Sequence, residues 1–177
     1  MTAVETEILL RRMASPVGEL LLGACGEELC LVDFIGRRGR FRPLARLKDR
    51  LRAQTHEDGG PSTVLEAASR QLEEYFAGAR KTFDLPLLFA GTPFQERVWQ
   101  LLLEIPHGRT VSYGELAARM GRPLAARAVA AANAANAISI IVPCHRVVAG
   151  DGGLGGYAGG TKAKRLLLDL EGALPGC

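Results

Sequence analysis

The feature that most restricts the fold is a pair of short helices between residues 112 and 136 that are joined by very few residues. "TVSYGELAARMG" places Ser112 as a helix N-cap, Glu115 three residues later, and Gly121 as a stop. Serine and glutamate at this spacing predict a capping box. "RPLAARAVAAANAAN" follows at once and predicts a second helix. Two helices linked so tightly resemble a helix-turn-helix, although an ordinary αα-hairpin is the commoner cause of this pattern.

The second of these helices consists largely of alanine, and Arg127 is its only charged side chain. Alanine is the best helix former, and its small side chain lets helices pack closely, which is one explanation of the composition. A helix this slim can also approach another surface closely and project Arg127 into it. The composition leaves both explanations open.

The chain before residue 92 has a different pattern, which predicts an α/β or α+β domain. "GELLLGACGEELCLVDFIG" (18–36) has the short apolar runs and glycine-flanked turns of a hairpin. "STVLEAASRQLEEYFAG" (62–78) predicts a helix from the N-cap Ser62 to Gly78. The apolar face of this helix is predicted to comprise Val64, Leu65, Ala68, Leu72 and Phe76.

The chain from residue 93 onward is predicted to be mainly helical. "TPFQERVWQLLLEIPHG" starts a helix at Thr92 or Pro93 that ends before Pro106. Its predicted apolar face comprises Phe94, Val98, Leu101 and Leu102. We therefore predict two domains, residues 1–92 and 93–177, in an α+β chain.

Composition and charge restrict the class of protein. No run of eighteen apolar residues occurs, and charged residues interrupt the first thirty positions, so we expect a soluble, cytoplasmic protein with no membrane partner. Cys25, Cys30, Cys144 and Cys177 show no repeated spacing, so we expect free thiols. Residues 109–165 hold eight basic residues against two acidic ones. That clustering suits a polyanion, although a solvated basic surface is the alternative.

A reactive pair follows the apolar run 138–142, which we predict to be a strand or extended segment. In "IIVPCHRVVAG" (140–150), Cys144 and His145 supply a thiol nucleophile and a base that can activate it. A buried, inert cysteine is the alternative for an isolated Cys-His pair. The next segment, 150–160, holds seven glycines around Tyr157 and reads as a loop without the Gly-Lys-Ser/Thr of a phosphate-binding loop.

The segment "IIVPCHRVVAGDGGLGGYAGGTKAKRLLLDLEG", together with the helices upstream, resembles the O6-alkylguanine-DNA alkyltransferase family. The resemblance is strong from residue 92 onward and limited to topology before it. It implies a small ribonuclease H-like α/β domain followed by a winged-helix-like domain that carries the helix-turn-helix. It also implies DNA repair in which an alkyl group moves irreversibly to Cys144, so that each molecule acts once.

The resemblance implies a role for each catalytic residue. His145 would act as the base through a water molecule, and Glu171 would orient its ring, although a solvated helix-end carboxylate is the alternative for Glu171. Tyr113 would donate to the departing guanine; the alternative is a partly buried core aromatic. Asn136 would tie the second helix to the reactive segment, or else it is a helix cap.

The resemblance also implies contacts with DNA and with the damaged base. Arg127 would fill the vacancy left by a flipped nucleotide, with Tyr113 and the helix residues Ala126, Ala128 and Asn133 against the minor groove. The substrate pocket would be lined by Val147, Tyr157, Ala158 and Lys164, although Lys164 has a solvated surface position as its alternative. The implied partner is duplex DNA with O6-alkylguanine or O4-alkylthymine, bound by a monomer that can cluster on DNA, with no cofactor and no metal.

The sequence departs from the family pattern at three places. Ala137 follows Asn136 where many members have proline, and Ala130 and Ala131 stand where glycine is frequent. Cys25 and Cys30 match two of the zinc ligands found in some members, but no residues complete the site. A non-catalytic lesion-binding relative is the main alternative function, and Cys144 argues against it; a turning-over thiol hydrolase would not need Arg127.

Overall fold

The computed structural model describes residues 5–37, 42–58 and 60–174. The chain divides into two compact units, residues 1–90 and residues 91–177. Arg38, Arg40 and Cys177 lie outside the described residues. Within the described part, no helix is both long enough and apolar enough to cross a membrane.

The first unit is a four-stranded sheet with two helices. The strands are β1 (Thr6–Met13), β2 (Leu20–Cys25), β3 (Glu28–Phe34) and β4 (Ala53–Glu57), and the helices are α1 (Pro43–Leu51) and α2 (Thr63–Phe76). The strand order is β3-β2-β1-β4, in which β4 is parallel to β1 and the other pairs are antiparallel. The predicted hairpin is therefore confirmed as β2 and β3, and the unit has mixed α/β content.

Helix α2 begins and ends where the sequence predicts. The Ser62 hydroxyl accepts a hydrogen bond from the backbone amide of Leu65 (3.3 Å), and Gly78 follows the helix with a positive φ of 76°. The predicted apolar face is wrong at one position. It includes Phe76, which is only half-buried, and omits Tyr75, which is buried.

The two cysteines of the first unit belong to the sheet. Cys30 is fully buried, and burial, reinforced by the neighbouring Cys25, raises the pKa of its thiol to about 12. Cys25 is half-buried, and desolvation also raises the pKa of its thiol. Among the described residues, no three histidine, cysteine, aspartate or glutamate side chains cluster as metal ligands do.

The second unit is mainly helical. Its helices are α3 (Pro93–Leu103), α4 (Tyr113–Arg119), α5 (Ala126–Ala134) and α6 (Gly160–Leu170). Two short parallel strands, β5 (Val111–Ser112) and β6 (Val147–Val148), and a 3₁₀ turn at Cys144–Arg146 complete it. The predicted capping box at Ser112 and Glu115 is present at the start of α4, and α4 packs against α5.

Helix α5 is held in place by the tryptophan of α3. The Trp99 indole N–H donates to the backbone carbonyl of Ala132 at 2.8 Å. A Cβ atom at Gly91 would lie 2.5 Å from the Trp99 ring, so only glycine fits beneath it. The predicted face of α3 omits Trp99, which is buried with Val98 and Leu102, whereas Phe94 and Leu101 are half-buried.

The predicted strand at 138–142 is wrong, because these residues form a buried turn. The amide of Val142 donates to the carbonyl of Ile138 (3.0 Å), and the amide of Ile141 donates to the carbonyl of Ser139 (2.8 Å). Ile140 has a φ of 72°, a left-handed conformation that costs a β-branched residue free energy. The apolar side chains are nevertheless buried, so the run specifies burial and not an extended backbone.

Candidate active site and nucleic-acid interface

Asn136 closes the buried turn that leads to Cys144. Its side-chain amide donates to the carbonyl of Val142 at 2.9 Å, and its side-chain oxygen accepts from the amide of Ile138 at 3.0 Å. The residue follows α5 and is 4% exposed. A simple helix cap does not account for these bonds, which span the turn and connect the end of α5 to the residues before Cys144.

Cys144 opens the 3₁₀ turn and is 4% exposed. Burial raises the pKa of its thiol, while the Asn136 side chain and the positive charge of Lys164 act in the opposite direction. A raised pKa means that the resting form is the thiol and not the thiolate. Because only the thiolate is a good nucleophile, a base must take its proton during a reaction.

Glu171 joins the two residues that follow Cys144. Its carboxylate accepts from His145 Nε2 at 2.8 Å and from Arg146 Nε and Nη2 at 2.9 Å each. Arg146 Nη1 also donates to the carbonyl of Ile105 at 2.6 Å. The side chains of His145 and Glu171 are fully buried, so the alternative of a solvated carboxylate is wrong.

The charges in this network favour a neutral imidazole beside an ionised carboxylate. Burial lowers the pKa of His145, although Glu171 partly offsets the effect. Burial alone would raise the pKa of Glu171, but the hydrogen bonds from His145 and Arg146 outweigh it and hold the pKa well below its usual range. Because the carboxylate only accepts, Nε2 carries the proton and Nδ1 presents a lone pair.

The lone pair of His145 Nδ1 is available to act as a base. Nδ1 is buried and has no hydrogen-bond partner among the described residues. In an otherwise paired network, such an atom marks a place where a substrate or a water molecule can bind. The arrangement can supply a thiol, a base and a carboxylate that orients the base, because Glu171 fixes the tautomer of His145.

Tyr113 is brought to Cys144 by the pairing of the two short strands. Val111 pairs with Val147, so the first residue of α4 lies beside the segment that follows Cys144. Burial raises the pKa of Tyr113, and the charge of Cys144 adds to the increase. A Cβ atom at Gly155 would lie 3.3 Å from the Tyr113 hydroxyl, so this glycine of the loop permits a close approach.

Lys164 is buried, which makes the alternative of a solvated surface position wrong. Its ammonium donates to the carbonyl of Val147 at 2.6 Å and to that of Gly156 at 3.4 Å. Desolvation lowers its pKa to about 8, and the charge of Cys144 partly offsets that decrease. Lys164 therefore links the strand after the nucleophile to the glycine loop.

The predicted pocket residues fall into two groups. Val147 is buried and Tyr157 is half-buried, with the Tyr157 ring centre 6.3 Å from that of His145. Ala158 is exposed. The structure thus brings Val147, Tyr157 and Lys164 to the residues around Cys144, while Ala158 lies at the surface of the loop.

Helix α5 presents a narrow exposed face. Arg127 and Ala128 are exposed and Ala126 is half-buried. Asn133, which we predicted among the DNA-contacting residues, does not lie on this face, because it is 5% exposed and donates to the carbonyl of Cys144 at 3.4 Å. Its position in the last turn of the helix turns it inward.

Sequence reasoning missed the roles of two residues of this site. Arg146 has no role in the sequence analysis, yet its guanidinium forms an ion pair with Glu171 at 2.9 Å. An arginine directly after a histidine, in a unit that also holds a carboxylate in its last helical turn, is the signal that could have suggested this pair. Gly155 was one of seven glycines, and no signal in the sequence distinguishes it from the others.

Comparisons with known proteins cover both units. Residues 8–89 match the family model of the 6-O-methylguanine DNA methyltransferase ribonuclease-like domain, and residues 93–173 match that of its DNA-binding domain. A methylated-DNA--protein-cysteine methyltransferase of Methanosarcina acetivorans is 44% identical over 160 residues, which is 90% of this chain and 95% of the relative. A second such methyltransferase, from Mycobacterium tuberculosis, is 45% identical over 161 residues, which is 91% of this chain and 90% of the relative. The crystal structure of Mycobacterium tuberculosis OGT in complex with DNA superposes with a TM-score of 0.78 at 41% identity, over 93% of each chain.

Proposed function

Because the chain belongs to the 6-O-methylguanine DNA methyltransferase family, we propose that it repairs DNA by moving the alkyl group of O6-alkylguanine to its own Cys144. It is a methylated-DNA--protein-cysteine methyltransferase that also accepts O4-alkylthymine. The observation that carries the proposal is a buried Cys144 followed by a neutral His145 that Glu171 orients. A thioether has no easy route to hydrolysis, so each molecule acts once.

The proposed chemistry is a displacement at the alkyl carbon. The Cys144 thiol gives its proton to His145 Nδ1 through a water molecule, and the thiolate sulfur forms a bond to the carbon. The carbon–oxygen bond breaks, and its electron pair leaves with the guanine ring. The half-buried Tyr113 donates a hydrogen bond from its hydroxyl to that ring, which stabilises the developing negative charge.

We propose that α4 and α5 bind DNA through the minor groove. The exposed Ala128 and the half-buried Ala126 allow close approach, and Arg127 fills the stack when the damaged nucleotide rotates out. In this proposal the chain divides functionally at residues 1–92 and 93–177, with a ribonuclease H-like first domain and a winged-helix-like second domain. The hydrogen bond from Asn136 to Val142 holds α5 in position relative to the turn that precedes Cys144.

The proposal predicts one methyl transfer per protein molecule. After incubation with a duplex that contains O6-methylguanine, the intact mass is expected to rise by one methylene and to saturate at one per chain. A tryptic map should place the addition on Cys144. Catalytic turnover, or label on Cys25, Cys30 or Cys177, would falsify the assignment. The matched control is Cys144→Ala, which should bind the duplex without gaining mass.

The basic segment 36–52 either is a solvated helix and loop or adds a weak contact with DNA or with a neighbouring copy on the same duplex. Arg37, Arg42 and the α1 residues Lys48 and Arg50 are exposed, which permits either role. If the segment contacts DNA, neutralising Arg37, Arg38, Arg40 and Arg42 together should reduce the salt dependence of binding, because fewer counterions are released.

Titrations of duplex DNA at several salt concentrations measure this slope. The slope of log K against log salt is negative, and each phosphate contact that is lost should reduce its magnitude by about one. The control neutralises four other basic residues of the first unit: Arg11, Arg12, Arg70 and Lys81. An equal slope for wild type and for the segment variant would leave the segment as a solvated surface.

A further inference from the structure

The turn that joins α4 to α5 presents a leucine side chain entirely to solvent. Leu124 is 100% exposed, whereas three other surface leucines, Leu103, Leu166 and Leu170, are only 38% to 45% exposed. Single leucines at a protein surface are common, but this side chain gains no packing from its own fold. A partner that covers it must come from outside the chain, and the surroundings of Leu124 indicate its chemistry.

The turn that carries Leu124 is rigid. The amide of Ala125 donates to the carbonyl of Arg122 at 2.9 Å, which closes a β-turn, and Pro123 at its second position fixes one backbone angle. The turn follows the end of α4 directly, where the amide of Arg122 donates to the carbonyl of Ala117 at 3.0 Å. Leu124 therefore loses little backbone freedom when a partner covers it.

Helix α3 supports this turn. The guanidinium of Arg122 lies 5.8 Å from the centre of the Phe94 ring, and Arg97 Nη2 donates to the carbonyl of Met120 at 3.4 Å. Both contacts join α3 to residues that come just before the tip of the turn. The turn is thus anchored to the unit, while Leu124 at its tip remains exposed.

The sequence around Leu124 is positively charged. Residues 116–150 contain four arginines and neither aspartate nor glutamate. Arg119 and Arg122 are exposed, and so is Arg127, three residues after Leu124. Such a surface suits a polyanion. An apolar side chain among arginines suits a polyanion that also offers apolar surface, as duplex DNA does where the C–H groups of deoxyribose line the minor groove.

We propose that Leu124 packs against the deoxyribose wall of the minor groove next to the contact made by Arg127, which gives the chain an uncharged contact with DNA of any sequence. The inference rests on the proposed function, in which α4 and α5 bind that groove. Phosphate contacts weaken as salt rises, whereas burial of an apolar side chain releases no counterions. Leu124 therefore supplies a part of the affinity that persists at high salt.

The test measures affinity for an undamaged duplex at several salt concentrations. All proteins carry Cys144→Ala, so that no transfer disturbs the equilibrium, and the duplex is short enough to hold one molecule. Leu124→Ala is expected to weaken binding by about tenfold at every salt concentration, as the loss of a buried leucine side chain implies, with no change in the slope of log K against log salt. Leu124→Met keeps an apolar side chain of similar size and should retain the affinity.

Three controls show that the fold and the active site are intact. Leu103→Ala makes the same change at an exposed leucine of α3 and should leave the affinity unchanged. Because Leu124 is fully exposed, Leu124→Ala should not alter the thermal melting temperature. With Cys144 present, Leu124→Ala should react with the free base O6-benzylguanine at the wild-type rate.

Three results would overturn the inference. The first is an unchanged affinity in Leu124→Ala. The second is a loss of affinity with a shallower salt slope, because the variant would then have displaced charged residues. The third is an unchanged affinity on the short duplex with lost cooperativity on a long one, which would assign Leu124 to a contact between neighbouring copies. Failure of the proposed function looks different, because wild type would then transfer no methyl group to Cys144, whatever the effect of Leu124 on binding.

Discussion

Replacing Arg127 by alanine is expected to slow methyl transfer on duplex DNA by about 100-fold. Rotating a nucleotide out of the stack costs a few kcal/mol, and a side chain that fills the vacancy offsets much of that cost, with each 1.4 kcal/mol worth about tenfold in rate. Arg127 is exposed on α5 and is the only charged residue of that helix, so no neighbour on the helix can replace it. Single-turnover rates with an O6-methylguanine duplex measure the effect.

The free base O6-benzylguanine separates the role of Arg127 from that of the chemistry. It needs no flipping, so Arg127→Ala should change its reaction with Cys144 little. Tyr113→Phe is the contrasting variant, because the departing guanine needs a donor in both reactions and both should slow. Equal slowing of the two reactions by Arg127→Ala would show that the arginine is structural and does not fill the stack.

Replacing Glu171 by glutamine is expected to lower the free energy of unfolding by about 3 kcal/mol at pH 7. The change keeps the shape of the side chain but leaves the buried Arg146 without its anion, and an uncompensated buried charge is strongly destabilising. Urea unfolding measures the loss. Glu74→Gln is the matched control, since Glu74 pairs with Arg80 at the surface and its loss should cost about 1 kcal/mol or less.

The stabilities of wild type and Glu171→Gln should also depend differently on pH. The pKa of Glu171 is lower in the folded protein than its usual value, so the folded state gains from ionisation at every pH above that usual value. The gain shrinks as pH falls below about 4.5, because the unfolded chain then takes up the proton first. The difference in stability between wild type and Glu171→Gln should therefore narrow in acid. A difference that stays constant from pH 7 to pH 3.5 would contradict an ionised Glu171.

Local signals predicted the helices well, because capping residues and periodicity act over a few positions. Ser62 and Ser112 each mark a helix start that the structure confirms. The strand predicted at 138–142 failed for the opposite reason. Apolar β-branched residues indicate burial, but the path of the backbone here depends on the side chain of Asn136, which bonds to Ile138 and Val142 across the turn. No short-range pattern in the apolar run contains that information.

The candidate site shows the same division between residue type and environment. A motif identified Cys144, His145 and Glu171, and the structure brings the last two within hydrogen-bonding distance although 26 positions separate them. The sequence did not show that Lys164 is buried or that Asn133 points inward, because both depend on which face of a helix meets the rest of the unit. Residue type suggests a solvated lysine and a surface asparagine; tertiary packing reverses both.

The bond between Trp99 and Ala132 gives the protein a built-in optical reporter. The chain has one tryptophan, and its indole N–H donates to a backbone carbonyl of the helix that carries Arg127. Indole emission responds to hydrogen bonding at that nitrogen and to the polarity around the ring. A shift of α5 that lengthens this bond therefore changes the emission spectrum of the native, unlabelled chain. Motion of α5 during DNA binding and alkyl transfer can thus be followed in real time without attaching a dye.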